Sequence, residues 1–177
     1  TIEAIQSARD AGHLVFLSTG RASGDIHPDV AAIGFDGAIT NGGAYAESAG
    51  ESVLADPMPE EATRAAIDYF TAHGIHYLLQ SDTAVYTTDS VREAFLVMLD
   101  ELFRTHADAD EAQTAPQRTP DLRDVADADL SDIAKITFIG DATDTVERVR
   151  RDLGERFHVV KGSMPMPGGT NGEIGMA

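Results

Sequence analysis

The sequence predicts an α/β protein in two parts, a short segment with parallel-sheet character followed by a longer α+β unit. A helical pattern over residues 2–11 stops at Gly12 and leads into the short apolar run 14–18, which together make half of a βαβ unit. Residues 57–161 instead alternate between helical and strand-like patterns. This second pattern predicts helices packed on one face of a mostly antiparallel sheet.

The first segment contains a helix and a strand that we expect to be buried. Ile2, Ile5 and Ala8 share one face of the predicted helix. The short run 14–18, with four apolar residues before Ser18, is consistent with a buried parallel strand. Because a helix, a Gly turn and such a strand make half of a βαβ unit, we expect a strand that precedes Thr1. Further along, Asn-Gly at 41–42 is a tight-turn signal. Brief strands are predicted at 44–47 and 52–55.

The longer unit is assigned by periodicity. Apolar residues at three- and four-residue spacing predict helices, and short apolar or alternating runs predict strands. Ser90 with Glu93, and Asp144 with Glu147, form capping-box patterns at two of the helix starts. The predicted helices cover residues 60–73, 90–102 and 144–153, and the predicted strands cover 76–80, 84–87, 134–139 and 157–160.

Composition restricts the classes of partner and site. The 177 residues contain 13 Lys and Arg against 30 Asp and Glu, for a formal net charge of −17. So acidic a surface repels nucleic acid and anionic membranes, and we expect neither as a partner. The chain has no cysteine, which excludes disulfides and thiolate sites and fits the reducing cytoplasm, the compartment we expect. The acidic stretch 107–132 is interpreted as a solvated connection with one helical turn near 122–126.

The sharpest chemical signal is Thr19-Gly20-Arg21, which follows the predicted strand 14–18. In open α/β sheets, ligands bind at the carboxyl ends of the strands. A hydroxyl and the next backbone N–H can donate to phosphate oxygens, and an arginine can add a charge-assisted bond. Judged by turn chemistry alone, an ordinary turn is the more frequent explanation of such a tripeptide.

The surroundings of this turn resemble a known family. The stretch TIEAIQSARDAGHLVFLSTGR resembles the second conserved segment of Cof-type phosphatases, subfamily IIB of the haloacid dehalogenase (HAD) superfamily. Residues 37–44 resemble the family's Asn-Gly-Ala segment, and residues 133–136 (Ile-Ala-Lys-Ile) resemble its cap strand. Residues 157–160, followed by 172–174, resemble the return from cap to core. The resemblance spans essentially the whole chain in the family's order.

The resemblance implies a partial Rossmann-like core with an inserted α+β cap of the C2 type. The core would comprise residues 1–45, the cap 46–168, and 169–177 would be a strand returning to the core. Family members are mostly Mg-dependent phosphatases of sugar phosphates and other small phosphomonoesters. In them an aspartate attacks phosphorus, water cleaves the aspartyl phosphate, and a second aspartate protonates the leaving group.

The resemblance also assigns roles by position. Thr19 would be the catalytic hydroxyl that binds the phosphoryl group, with Ser18 as the less favoured alternative. Gly20 would contribute its backbone N–H. The expected phosphate- and substrate-binding residues are Gly20, Arg21, Asn41 and Gly42.

Two family motifs are missing from these 177 residues. The nucleophile motif Asp-x-Asp-Gly-Thr does not occur, and Asp36, which mimics it, has Gly34 where the nucleophile should stand, so we interpret Asp36 as a turn residue. Asp141 and Asp144 imitate the metal-binding cluster, but Lys135 precedes Asp141 by only six residues, and Asp144 is better explained as a helix cap. We therefore predict no metal ligands in this chain. We expect a fragment that is inactive alone and belongs to a full-length enzyme using Mg.

Two other functions stay open on the sequence. A non-catalytic α+β module that binds a small ligand or a partner chain would also lack a nucleophile. A nucleotide-binding half-domain around Thr19-Gly20 ranks last, because no glycine-rich phosphate loop is present. An incomplete sheet in residues 1–43 would have unpaired edges, which predicts mobility or self-association of that segment.

Overall fold

The computed structural model describes residues 1–93, 95–97, 122–162 and 169–176. Their strands form two separate sheets. The first contains β1 (Phe16–Ser18), β2 (Gly37–Thr40), β3 (Tyr45–Ser48) and β4 (Glu51–Ala55), in that spatial order. The second contains β5 (His76–Gln80), β6 (Val85–Thr87), β7 (Leu122–Asp124), β8 (Lys135–Gly140), β9 (Phe157–Lys161) and β10 (Thr170–Met176), in the spatial order β7-β6-β5-β8-β10-β9.

Five α-helices accompany the sheets in the described ranges. They are α1 (Ile2–Asp10), α2 (Pro28–Ala31), α3 (Glu60–Ala72), α4 (residues 89–93 and 95–97) and α5 (Thr145–Leu153). The predicted helices and strands of both segments are present in the predicted chain order, which confirms the α/β class. None of the helices in these ranges combines the length and the apolar character needed to cross a bilayer.

The first sheet is a mixed sheet with β1 at its edge. β1 pairs in parallel with β2, whereas β2, β3 and β4 are antiparallel to one another. The prediction of a buried strand at 14–18 is wrong within this structure: Leu14 is 72% exposed, Phe16 is 40% exposed, and α1 buries no residue. The physical reason is that side chains of a strand are buried by a layer packed on its face, and α1, which precedes β1, buries none of its own residues. Self-association through this edge stays a prediction.

The second sheet carries the hydrophobic core. Helices α3 and α5 cover one face, where Phe70 stacks on Phe138 of β8 with ring centroids 5.4 Å apart. Both rings are fully buried. Each such side chain stabilises the fold by about 1.5–3 kcal/mol through burial. Because side chains alternate along a strand, Lys135 and Thr137 point to the opposite face, away from these helices.

The two sheets divide the chain differently from the predicted core and cap. β3 and β4 extend the first sheet to Ala55, so the boundary expected at 45/46 falls inside β3. Residues 169–177 were expected to return to the core, but β10 lies between β8 and β9, antiparallel to both. Ile174 of β10 is 1% exposed and lies opposite Ile136, so β10 completes the hydrophobic core of the second sheet.

Two helix starts differ from the capping patterns. The Arg92 N–H donates to the Thr88 carbonyl at 2.9 Å, so α4 begins before Ser90, which is an interior helical residue. Asp144 does occupy the N-cap position of α5, but its side chain makes no capping bond. The hydroxyl of the next residue, Thr145, donates to the Ala142 carbonyl at 2.8 Å.

The acidic connection is described only at its end. β7, which pairs in parallel with β6, stands where one helical turn was predicted, and a 3-10 turn follows at Val125–Asp127. The end of the predicted helix 90–102 and residues 107–121 lie outside the described residues.

Candidate active site

The loops that follow the parallel strands β1 and β2 are bound to each other. The Thr19 N–H donates to the Ile39 carbonyl at 2.9 Å, and the Gly42 N–H donates to the Thr19 carbonyl at 3.2 Å. The Asn41 N–H donates to the Arg21 carbonyl at 2.8 Å. The carboxyl ends of two neighbouring strands therefore bring Thr19-Gly20-Arg21 and Asn41-Gly42 together, as the resemblance predicts.

The Thr19 hydroxyl is available as a donor. Thr19 is partly exposed, and its Oγ1 accepts the Arg21 N–H at 3.1 Å. A hydroxyl that accepts in this way still has its own O–H to donate. Gly20 and Arg21 are both exposed, and Ser18, the alternative hydroxyl, is exposed within β1. The turn thus combines a partly exposed hydroxyl, an exposed glycine and an exposed arginine in three consecutive residues.

Asn41 and Gly42 are positioned differently from the simplest expectation. Asn41 is 4% exposed, and its side-chain amide donates to the Ser81 carbonyl at 3.5 Å and to Asp82 Oδ1 at 3.3 Å, both in the turn between β5 and β6. The Gly42 N–H is already bonded to Thr19. Gly42 therefore supports the turn through its backbone, while Asn41 joins the first sheet to the second.

Lys135 approaches the same turn from the second sheet. Its side chain is only 10% exposed, and its Nζ lies 3.0 Å from Glu173 Oε2. A Cβ atom placed on Gly20 would lie 3.6 Å from this Nζ. A buried ammonium group is therefore adjacent to the segment that the sequence marks for phosphate binding.

The sequence analysis singled out neither Lys135 nor Asp82 as a candidate site residue. A signal for Lys135 exists, because only two of the 13 basic residues, Lys135 and Lys161, are lysines. Asp82 carries no comparable signal, since Ser-Asp in a hairpin turn is ordinary turn chemistry.

The aspartates that imitate family motifs lie elsewhere. Asp36 precedes β2, at the opposite end of that strand from Asn41, and forms an ion pair with Arg9 at 2.9 Å. This hydrogen-bonded guanidinium lowers the pKa of Asp36. Asp141 follows Gly140, the end of β8 that lies five residues from Lys135, or roughly 17 Å at the usual rise per residue. Across the ranges that the structure describes, no group of three or more His, Asp or Glu side chains could hold a metal ion.

Comparison with known proteins identifies the family. Residues 1–165 match the haloacid dehalogenase-like hydrolases. The chain belongs to this family. A HAD relative from Escherichia coli (strain K12), the pyridoxal phosphate phosphatase YbhA, is 38% identical over 88 residues, or 48% of this chain.

Solved HAD structures share the fold. A haloacid dehalogenase-like hydrolase from B. subtilis aligns over 98% of this chain with a TM-score of 0.73 and 19% identity. The subclass IIB sugar phosphatase BT4131 aligns over 99% with a TM-score of 0.64 and 17% identity. The chain spans 32% of the length of YbhA, and 65% and 61% of these two structures. The predicted HAD resemblance and the α/β fold are confirmed.

Proposed function

We propose that this chain contributes the cap and the phosphate-binding hydroxyl of a Mg-dependent phosphatase for small phosphorylated metabolites of the sugar-phosphate class. The observation that carries the proposal is the approach of buried Lys135 to the Thr19-Gly20 turn. A phosphomonoester is an oxygen-rich dianion, and preorganised donors with a cation are the groups that stabilise it. The second sheet, with α3 and α5 on its far face, would act as the cap.

The residues have separable roles in this proposal. The Thr19 O–H and the Gly20 N–H would donate to non-bridging oxygens of the transferred phosphoryl group. Exposed Arg21 would bind from the solvent side, where its planar donors suit phosphate. Lys135 would bind an oxygen of the ester from above. Glu173 balances its charge before the ligand arrives.

The covalent step needs a carboxylate that the chain lacks. An aspartate from outside these 177 residues would bond to phosphorus while the bond from phosphorus to the ester oxygen breaks, and a second carboxyl group would protonate that oxygen. Water would then hydrolyse the aspartyl phosphate. Bound Mg would neutralise phosphoryl charge, but the described residues do not fit it, since they provide no set of ligands.

The proposed substrate class follows from the positive charge of Lys135 near the Thr19-Gly20 turn and from one relative. The E. coli relative is a pyridoxal phosphate phosphatase, so pyridoxal phosphate belongs beside sugar phosphates among the substrates to test. The absence of cysteine fits action in the reducing cytoplasm.

The test uses a complete protein in which these 177 residues are accompanied by an Asp-x-Asp-Gly-Thr segment. Phosphate release is measured from p-nitrophenyl phosphate, glucose 6-phosphate and pyridoxal phosphate, with Mg and with a chelator. We expect Mg-dependent turnover by the complete protein and none by the 177-residue chain. Thr19→Val should lower kcat on the order of 10²-fold, the usual cost of losing one transition-state donor.

Two further variants make this test specific. Thr19→Ser retains the hydroxyl and should keep most of the activity. Thr71→Val changes an exposed threonine on α3 and should behave as wild type. Undiminished turnover in Thr19→Val, or Mg-dependent turnover by the 177-residue chain alone, would contradict the proposal.

A further inference from the structure

The turn between β5 and β6 inserts one carboxylate among the loops of the first sheet. Asp82 Oδ1 accepts from Thr40 Oγ1 at 3.1 Å and from Asn41 Nδ2 at 3.3 Å. Asp82 Oδ2 accepts from Ser23 Oγ at 2.9 Å. The Asp82 backbone carbonyl accepts the same Ser23 hydroxyl at 2.9 Å and the Gly24 N–H at 3.4 Å. One residue of the second sheet therefore binds two separate loops of the first.

An ionised carboxylate can only accept hydrogen bonds, and bonds to it are stronger than bonds between neutral groups. Because Asp82 cannot donate, the Asn41 amide must present its NH₂ group to it. The reverse orientation would place two acceptor oxygens against each other. Asp82 therefore determines which way the Asn41 amide faces.

This orientation leaves an unsatisfied acceptor. Asn41 Oδ1 is buried and has no hydrogen-bond donor in the described part of the chain. Leaving a buried carbonyl oxygen unpaired is costly, so such an atom calls for a donor from elsewhere. The Asn41 N–H is bonded to the Arg21 carbonyl, which places this residue beside the proposed phosphate-binding turn. A donor arriving with the substrate would satisfy it.

We propose that Asp82 is a positioning residue that holds the second sheet over the Thr19 turn and aligns Asn41 Oδ1 to accept from the substrate. This inference rests on the proposed phosphatase function. It specifies the substrate class more closely: the leaving group carries a hydroxyl or N–H near the ester oxygen. Phosphorylated polyols and sugars meet this condition, whereas the p-nitrophenol leaving group has no such donor.

The experiment compares kcat/KM for glucose 6-phosphate with kcat/KM for p-nitrophenyl phosphate in the complete protein. The clamp is the set of hydrogen bonds by which Asp82 joins the second sheet to the loops of the first. Loss of the clamp alone would lower both kcat/KM values. Loss of Asn41 alignment lowers only the first, so the ratio of the two should fall about 10-fold or more in Asp82→Ala. An unchanged ratio in that variant overturns the assignment of Asn41 as an aligned acceptor.

Asp129→Ala is the matched control. The Asp129 carboxylate accepts the Ser131 N–H at 3.0 Å and the Ser131 hydroxyl at 2.6 Å, within a turn that precedes β8. It resembles Asp82 in chemistry, but these hydrogen bonds stay within that one turn. We expect the substrate ratio of this variant to equal that of wild type.

Amide hydrogen exchange tests the clamp without using activity. Exchange over residues 22–25 and 40–43 should be faster in Asp82→Ala than in Asp129→Ala. The milder Ser23→Ala removes one donor to Asp82, and it should accelerate exchange in 22–25 even if Asp82→Ala folds poorly. If amide exchange over these residues is equally fast in Asp82→Ala, Ser23→Ala and the Asp129→Ala control, the proposal that Asp82 joins the two sheets is overturned. If wild type hydrolyses no phosphate ester, the proposed function fails, while exchange still decides whether Asp82 joins the sheets.

Discussion

The ion pair between Lys135 and Glu173 predicts an unequal response to losing either partner. Lys135 Nζ and Glu173 Oε2 are 3.0 Å apart. The Lys135 side chain is 10% exposed, whereas the Glu173 side chain is 41% exposed. Lys135→Met leaves a carboxylate that water can still reach. Glu173→Gln leaves a buried ammonium group without its counter-charge. The two substitutions preserve side-chain size, so the comparison isolates charge.

The size of the effect follows from this geometry. Two unit charges 3.0 Å apart attract by about 5 kcal/mol at an effective dielectric constant of about 20, before desolvation is subtracted. Removing one partner of a buried pair costs about 3–5 kcal/mol, and exposed pairs contribute about 0–1 kcal/mol. We therefore expect Glu173→Gln to cost about 2–3 kcal/mol of unfolding free energy and Lys135→Met about 1 kcal/mol.

Urea unfolding at neutral pH measures both variants and the double variant. The double variant should cost less than the sum of the single ones, because the coupling is lost only once. A Lys135→Met variant that is destabilised as much as Glu173→Gln, or more, would refute the reasoning from exposure. It would mean that leaving the Glu173 carboxylate unpaired costs at least as much as leaving the Lys135 ammonium group unpaired.

Two further predictions concern packing and alkaline stability. A Cβ added to Gly172 would meet the Phe138 ring and come within 2.7 Å of the Val160 carbonyl oxygen, so Gly172→Ala should lower the unfolding free energy in urea by about 1–3 kcal/mol. In the control Gly175→Ala, the new Cβ would contact only the Ala134 carbonyl oxygen at 3.9 Å, so this variant should be nearly as stable as wild type. Equal losses of stability in the two variants would contradict this account. Burial, with a hydrogen bond to Asp152, raises the pKa of Tyr69 from 10.0 to about 12. The folded state therefore holds this proton more tightly, and the stabilisation, complete below pH 10, is lost as pH rises towards 12. The difference in unfolding free energy between wild type and Tyr69→Phe should shrink as pH rises from 10 towards 12. A difference that stays constant over this pH range would contradict the raised pKa of Tyr69.

The contacts between the sheets explain how one site can draw on distant parts of the chain. Lys135 of β8 lies near Gly20, and Asp82, in the turn between β5 and β6, binds Thr40 and Asn41. Tyr45 of β3 adds a third connection, since its hydroxyl donates to Asp132 Oδ1 at 2.9 Å. Burial raises the pKa of Tyr45 above its ordinary value, so this hydroxyl remains a donor across the physiological range.

Local sequence patterns were sufficient for much of the fold. The i, i+3, i+4, i+7, i+8 spacing of Ala62, Ala65, Ala66, Tyr69 and Phe70 predicted α3. Ala62, Ala66 and Phe70 are buried in the core, Tyr69 is half-buried, and Ala65 is exposed. Such patterns report which face of a segment avoids water, and they need only neighbouring residues. The Thr-Gly-Arg turn and the Asn-Gly turn were likewise recognisable from a short stretch, together with the family they resemble.

By itself, the sequence determined the type and order of most elements, the HAD family and the Thr19 turn that we propose binds phosphate. Only the tertiary structure decided that β10 completes the second sheet, that β1 is exposed, that Lys135 lies near Gly20, and that Asp82 binds Asn41. The physical reason is range. Periodicity and capping act between residues a few positions apart, whereas strand partners and the burial of a charge depend on packing between segments that are distant in the chain.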